Sequence, residues 1–267
     1  MAILQERLPL APWMAEHTLR LPGTAPIALA DWLQRDDAFA AQMACRDRLI
    51  AERRQAVHAM TEGCRPAAEE LLSLVLALLD SVPGYAREGR AVRRPDGVAV
   101  PLDGPPLIVA GRLVQEDFCV LEKPGGADEH VLTGAILCFP SDWTLAQKMG
   151  KGLARIHLPV DRYDEGIARR VQRLFDGLRV EAPLMRENLI PRADPELFSP
   201  RPEHARATPE GPARYLRVER QVLVRLPVTR AVVFSIHTYL VRPEALTLDQ
   251  RDRLEAVRPQ DVAGVPA

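Results

Sequence analysis

The chain has 267 residues, with 35 Lys and Arg against 36 Asp and Glu and an ordinary globular share of hydrophobic residues at 47%. Without a basic surplus it is a poor candidate for nucleic-acid binding. No apolar run reaches the roughly 20 residues that cross a bilayer, and the first residues lack the layout of a secretory signal. We therefore expect a cytoplasmic protein that binds neither nucleic acid nor membrane.

The four cysteines, Cys45, Cys64, Cys119 and Cys138, lie far apart, and none belongs to a C-x-x-C motif. In a cytosolic chain this spacing predicts buried apolar side chains rather than disulfides. It also does not match the compact spacings of iron–sulfur ligands. Any iron–sulfur chemistry is therefore expected on another polypeptide.

The N-terminal part, residues 1–84, is expected to be a helical extension. After a proline-punctuated arm of about 30 residues, Asp31 is positioned to cap a helix that continues to about residue 59. A second helix is predicted over residues 66–80, because Leu71, Val75 and Leu79 recur at helical spacing. Residues 85–104 indicate a loop or weak hairpin.

The rest of the chain predicts a sheet with flanking helices. Short β-rich runs at 107–114, 118–122 and 131–139 indicate an antiparallel meander, and two further strands are predicted at 215–226 and 231–241. Helices are expected at 143–156, 166–177 and 247–257, with a proline-rich passage over 183–212. We interpret residues 1–267 as one α+β domain, with its sheet and candidate site in residues 105–257.

His157 is the first candidate functional residue. It ends the predicted helix over 143–156, since the following residue precedes Pro159. On that helix Gly150 and Ala154 lie seven and three residues before it, and two small residues leave room for a large flat group such as a haem edge. The alternative is a histidine that only interacts favourably with the helix end.

The last two strands supply the second candidate. A hairpin register with Arg225 opposite Ala231 places Glu219 opposite His237 and Arg217 opposite Tyr239. This register gathers a carboxylate, an imidazole, a phenol and a guanidinium on one patch. The alternative is an exposed sheet face crossed by salt bridges.

Arg186 and Asn188 form a third candidate, in a predicted loop. A guanidinium is suited to bidentate recognition of a carboxylate, including a haem propionate, and Asn188 is able to bond locally. Taken alone, this segment is also typical of an ordinary loop.

Six segments together resemble the haem-dependent oxidative N-demethylases, a family that includes dimethylamine monooxygenase subunits. The likeness runs from about Pro9 to Pro243. The segments are Gln115-Glu-Asp-Phe, Cys138-Phe-Pro-Ser-Asp-Trp143, Ile156-His-Leu-Pro-Val160, Arg186-x-Asn188, Arg217-x-Glu219-Arg-Gln221 and Phe234-Ser-Ile-His-Thr-Tyr239.

This resemblance implies a PAS-like antiparallel sheet domain that binds haem b. It implies oxidative removal of a methyl group from a secondary amine such as dimethylamine, with dioxygen as co-substrate and release of formaldehyde. It also implies a flavin and iron–sulfur reductase, which for this chain would be a separate polypeptide.

The same resemblance suggests roles for the candidate residues. His157 is the first choice for the axial iron ligand and His237 the second. Glu219 would accept a proton, and Tyr239 or Arg217 would position the substrate or oxygen. The expected cofactor contacts are Gly150, Ala154, Arg186, Asn188 and His237.

The chain departs from the family pattern at two positions. Leu189 follows Asn188 where the family tends to have Trp, and Asp161 stands where the family has a second proline. If that tryptophan lines the pocket, the substrate preference differs. Two other functions remain open from the sequence: a non-catalytic haem-binding PAS-like sensor, and a haem-free structural subunit of an amine monooxygenase.

Overall fold

The computed structural model describes residues 2–19, 23–157, 165–203, 205 and 211–257. Within these ranges no helix combines the length and apolarity needed to cross a membrane. The helices are α1 (Phe39–Glu52), α2 (Arg54–Val57), α3 (Arg65–Leu79), α4 (Pro106–Leu113), α5 (Leu145–Lys148), α6 (Leu153–His157), α7 (Glu165–Gly177) and α8 (Leu248–Ala256). The strands are β1 (Ala25–Pro26), β2 (His58–Met60), β3 (Ala86–Glu88), β4 (Ala91–Arg93), β5 (Ala99–Pro101), β6 (Asp117–Glu122), β7 (Val131–Ile136), β8 (Leu184–Arg192), β9 (Tyr215–Arg225) and β10 (Val232–Val241).

Antiparallel pairing organises the described strands into a large sheet of order β1-β8-β9-β10-β6-β7-β2 and a small sheet of order β3-β4-β5. The long hairpin of β9 and β10 lies at the centre of the large sheet. This mixture of helices and antiparallel sheets confirms the α+β prediction.

The large sheet has two differently covered faces, because successive side chains of a strand point to opposite sides. One face carries Leu223 and Ile236 and packs against α5, α6 and α7; we call it the α7 face. The other carries Val222 and Val224 and packs against α3 and α4; we call it the α3 face. The N-terminal segment and α8 complete the cover of the α3 face, around the buried Trp13.

The first helix begins later than the sequence predicts. Asp31 ends a short 3-10 turn, and α1 begins only at Phe39. The carboxylate of Asp36 accepts a hydrogen bond from the backbone N of Ala38, which supports the turn into α1. The second predicted helix is confirmed as α3, with Leu71, Val75 and Leu79 on its buried side.

The prediction of a strand over 107–114 is wrong, because this segment forms α4. Pro106 occupies the first turn, where its missing N–H costs nothing. A short, mostly apolar segment of this kind fits a buried strand as well as a buried helix. Gly111 favours the helix packing, because a Cβ atom there would lie 2.5 Å from Ile136 Cγ1 of β7.

The predicted helix over 143–156 is interrupted. It forms the short helices α5 and α6, separated by a turn in which Gly150 has φ +69°. This left-handed conformation suits glycine, which lacks the Cβ that would clash. Leu145 and Leu153 nevertheless pack into one cluster on the α7 face, so the apolar stripe survives the break.

β8 lies within the proline-rich passage over 183–212, where the sequence does not predict a strand. Pro191 lies within it, but only Leu184 and Met185 of β8 pair with the two-residue β1. At Pro191 the outer side of β8 is therefore free of ladder pairing, which is where a strand tolerates proline. Arg186 and Asn188 consequently lie on a strand and not in a loop.

The predicted hairpin register is wrong by one residue. Arg225 pairs with Val232, and the backbone N of Leu226 donates to the carbonyl of Ala231 at 2.9 Å to close the turn. Glu219 therefore faces Thr238, and His237 faces Arg220. A shift of one residue moves every side chain of one strand to the other face relative to its partner.

Candidate functional site

Glu219 is the centre of a buried polar cluster on the α7 face. Its Oε1 accepts from Arg217 Nε at 3.0 Å, and its Oε2 accepts from Asn188 Nδ2 at 3.3 Å and from Gln221 Nε2 at 3.1 Å. The backbone N of Glu219 donates in turn to Asn188 Oδ1 at 3.2 Å. These donors fix the carboxylate in one orientation.

Arg217 serves to hold this cluster and is not available to a substrate. Besides Glu219, its guanidinium donates to the carbonyls of Leu197 and Phe139. A further nitrogen contact reaches Thr238 Oγ1 at 3.4 Å. With its donors engaged and a 1% exposed side chain, Arg217 positions Glu219.

Arg186 lies across the strand pair from Gln221 and is the most unusual charge on this face. Its Nε is buried, and no residue that the structure describes accepts a hydrogen bond from it. Burial lowers the pKa of its guanidinium, an effect that the Glu219 carboxylate partly offsets. A buried donor without an acceptor is costly, so this nitrogen is suited to an anionic ligand.

The same face carries a partly exposed strip within an otherwise buried sheet. Other residues of this face, such as Asn188, Glu219 and Leu223, are buried. Trp143, Met149 and Ile156 pack against the same apolar cluster as Leu184 and Phe234 of the strip, so this face combines a cation with apolar side chains. The strip and its border comprise Leu184, Arg186, Ile190, Gln221, Phe234, Trp143, Met149 and Ile156.

His157 ends α6 on this same side of the sheet. Leu153 and Ile156, from the same helix, pack into the cluster of the α7 face. The backbone of His157 is thus placed beside the partly exposed strip. Its side chain, like residues 158–164 with the departure at Asp161, lies outside the described part of the chain.

Gly150 and Ala154 do not form the notch that a continuous helix predicts. Gly150 belongs to the turn between α5 and α6, while Ala154 belongs to α6 and is exposed. The backbone N of Ala154 donates to Glu129 Oε2 at 2.8 Å. The two small residues therefore do not share a helical face beneath His157.

His237 lies on the opposite, α3 face, where it is completely buried between two carboxylates. Its Nδ1 is 3.1 Å from Glu116 Oε1, and its Nε2 is 3.0 Å from Asp36 Oδ2. Burial alone would lower the pKa of His237, but these two partners raise it to about 9. A doubly hydrogen-bonded imidazolium has no lone pair for iron, so the structure argues against His237 as the axial ligand.

Tyr239 also lies on the α3 face, with its ring centroid 4.6 Å from that of His237. Burial raises the pKa of its hydroxyl above the ordinary value. The four groups of the predicted patch are therefore divided: Arg217 and Glu219 on one face, His237 and Tyr239 on the other. Tyr239 is separated by the sheet from the partly exposed strip.

Sequence reasoning missed the partners of His237. Asp36 receives further hydrogen bonds from Gln5 Nε2 at 2.8 Å and from Gln115 Nε2 at 2.9 Å. The Gln115-Glu-Asp-Phe segment was noted as a motif, but its contact with His237 depends on distant strands meeting. Leu189, where the family tends to have Trp, packs on the α3 face and does not line the strip.

These features fit a group that is large and apolar but carries a carboxylate. The partly exposed strip and its border supply apolar side chains, Arg186 supplies a cation whose buried Nε has no acceptor among the described residues, and a histidine ends the neighbouring helix. Among the described side chains, to which that of His157 does not belong, no three His, Cys, Asp or Glu lie together in a group that could hold a metal ion. The family model described as "haem-dependent oxidative N-demethylase, alpha subunit-like" matches residues 23–258.

Proposed function

The chain belongs to the haem-dependent oxidative N-demethylase, alpha subunit-like family, and on this premise we propose that it demethylates a secondary amine such as dimethylamine. Formaldehyde is the product released with the shorter amine. The guanidinium of Arg186 is the observation that carries the proposal, because its buried Nε has no acceptor among the residues that the structure describes. It supports binding of a carboxylate-bearing cofactor at the face that also bears Glu219.

Two residues of this chain would hold haem b. His157 would donate a neutral ring nitrogen to the iron, since α6 brings its backbone beside the strip. Arg186 would bind a propionate, which satisfies its unused donor and offsets the cost of its burial. The apolar walls would bury the macrocycle.

Bound haem supplies the dioxygen-activating chemistry. In the overall reaction the nitrogen–methyl bond breaks, one oxygen atom of dioxygen enters formaldehyde and the other leaves as water. The balance requires two electrons and two protons for each amine. We assign the electrons to a separate flavin and iron–sulfur reductase polypeptide, and the alpha subunit-like description supports an assembly of several subunits.

Glu219 binds the amine and moves its proton. A simple alkylamine, like the side chain of Lys with its pKa of about 10.4, is protonated at neutral pH. The fixed carboxylate of Glu219 therefore attracts the ammonium group, accepts its hydrogen bond and takes the proton that must leave before the nitrogen can react. Arg217 and Asn188 keep the carboxylate in place for this transfer.

The test is amine-dependent release of formaldehyde by haem-loaded protein with an electron-donating reductase. Glu219→Gln should retain its haem absorption band and lose turnover by about 100-fold or more, because the group that accepts the proton is gone. Glu187→Gln is the matched control, since Glu187 is a buried carboxyl of β8 on the α3 face. Full turnover by Glu219→Gln would remove Glu219 from the mechanism, and no formaldehyde from the wild-type protein would contradict the proposed activity.

A further inference from the structure

Gln221 occupies a position on the α7 face that no role has so far explained. It lies two residues after Glu219 on β9, opposite Arg186 of β8 and Ile236 of β10. Unlike Val222 and Leu223, which follow it and are buried, it belongs to the partly exposed strip. Its side chain is therefore accessible to a molecule bound there.

The orientation of the Gln221 amide is determined by Glu219. Its nitrogen, Nε2, donates a hydrogen bond to Glu219 Oε2 at 3.1 Å, so the nitrogen side of the amide faces that carboxyl group. The carbonyl oxygen, Oε1, is consequently directed elsewhere. Within the described ranges, no residue donates a hydrogen bond to this oxygen.

An unused acceptor beside a fixed carboxylate is suited to an ammonium group with more than one N–H bond. The carboxylate of Glu219 has about four lone-pair sites and accepts three side-chain hydrogen bonds, so it retains capacity for another donor. Gln221 Oε1 offers a second acceptor on the same face. A protonated secondary amine carries two N–H bonds, a tertiary one carries one and a quaternary one carries none.

We propose that Gln221 is a specificity-determining residue, whose Oε1 accepts one N–H of a secondary ammonium while Glu219 accepts the other. This inference rests on the proposed function, since it uses the same site. On this assignment the site favours a dimethylammonium over a trimethylammonium ion of the same charge. The tertiary ion leaves one of the two acceptors unpaired, which lowers its affinity.

The experiment measures binding of dimethylammonium, trimethylammonium and tetramethylammonium chloride to the haem-loaded full chain by calorimetry. In Gln221→Met the affinity for dimethylammonium should fall by about 10- to 100-fold, to that of trimethylammonium. The affinity for tetramethylammonium, which has no N–H, should stay unchanged. Gln172→Met is the matched control, because Gln172 also donates to a carboxylate, that of Asp176, but lies on α7; it should behave as the wild type.

Two results would overturn the role of Gln221 alone: unchanged affinity for dimethylammonium in Gln221→Met, or an equal loss for all three ions. If the Met variant does not fold, Gln221→Asn replaces it, since the shorter amide cannot span Glu219 and the ligand together. It should show the same selective loss. Wild-type protein that binds none of the three ions would overturn the proposed function as well.

Discussion

The surroundings of Arg186 only partly balance its charge. Replacing this residue should therefore affect cofactor affinity and protein stability in opposite directions. In Arg186→Leu the haem-free protein should be at least as stable to unfolding as the wild type, because a buried cation with an unused donor is removed. The same change should weaken haem binding by about 10-fold or more, through loss of a charge-assisted hydrogen bond. Thermal unfolding and haem titration measure the two effects.

Arg217→Leu is the matched comparison for this prediction. It removes an arginine from the same face, but one whose donors are engaged with the protein. It should therefore destabilise the haem-free chain. If Arg186→Leu is destabilised to the same extent, then Arg186 stabilises the fold and is not a ligand-binding residue.

At the residue scale, the sequence identified candidate polar residues but not which of them lie on the same face of the sheet. Glu219, Arg217 and Arg186 were singled out, and all three lie on the α7 face. His237 was grouped with them because a hairpin register was chosen by aligning apolar residues. Residue types indicate what a side chain is able to do, whereas the face that it occupies depends on a turn whose length was misjudged by one.

Gly150 sets the path of the chain between α5 and α6, and its replacement tests this role. In Gly150→Ala the free energy of unfolding should fall by about 1 to 2 kcal/mol, because an L-residue is strained at φ +69°. The Cβ atom itself meets no atom within 4 Å, so the cost is conformational and not steric. Denaturant unfolding measures the change.

Gly177→Ala provides the control at the end of α7. A Cβ atom there also meets nothing within 4 Å, and its φ is not left-handed. This variant should change stability little. Equal destabilisation of both variants would show that the backbone conformation at Gly150 is not the cause.

At the scale of elements, the sequence predicted those with strong local signals. The helices expected over 66–80 and 247–257 are present as α3 and α8, and Thr247 caps α8. The errors fall where tertiary context decides. The apolar run of α4 fits a strand as well as a helix, and β8 tolerates Pro191 only because of its position in the sheet. The two glycines at 150 and 152 were the available sign that the helix over 143–156 is broken.

The α3 face joins the N-terminal part of the chain to the sheet through buried charges, and this predicts pH-dependent stability. The pKa of His237 is raised to about 9, above its unfolded value of about 6.5. Its contribution, on the order of a few kcal/mol, is fully present below pH 6.5 and is lost as the pH rises through 9. Burial raises the pKa of Glu187 to about 7, so the folded protein favours the protonated carboxyl group. The stability that comes from this preference is lost as the pH rises from about 4.5 through 7.

Two variants separate these windows in denaturant unfolding measured from pH 4 to 10. Glu187→Gln should flatten the decline in stability below about pH 7, and His237→Gln should flatten the decline between about pH 6.5 and 9. His237→Gln should also be less stable at pH 6, because Asp36 and Glu116 lose the cation between them. A wild-type stability that does not decline between pH 6.5 and 9 would contradict the buried imidazolium.

At the scale of the whole molecule, the two faces of the large sheet have different roles. The α3 face holds the ion-paired His237 between Asp36 and Glu116, and the α7 face has a cation, a carboxylate and a partly exposed strip beside the helix that His157 ends. The most direct test of this division is the Soret absorption of purified protein from haem-supplied cells. We predict a band in the wild type that is lost in His157→Ala and kept in His237→Gln. A full band in His157→Ala, or its loss in a folded His237→Gln protein, would contradict the assignment of haem to the α7 face.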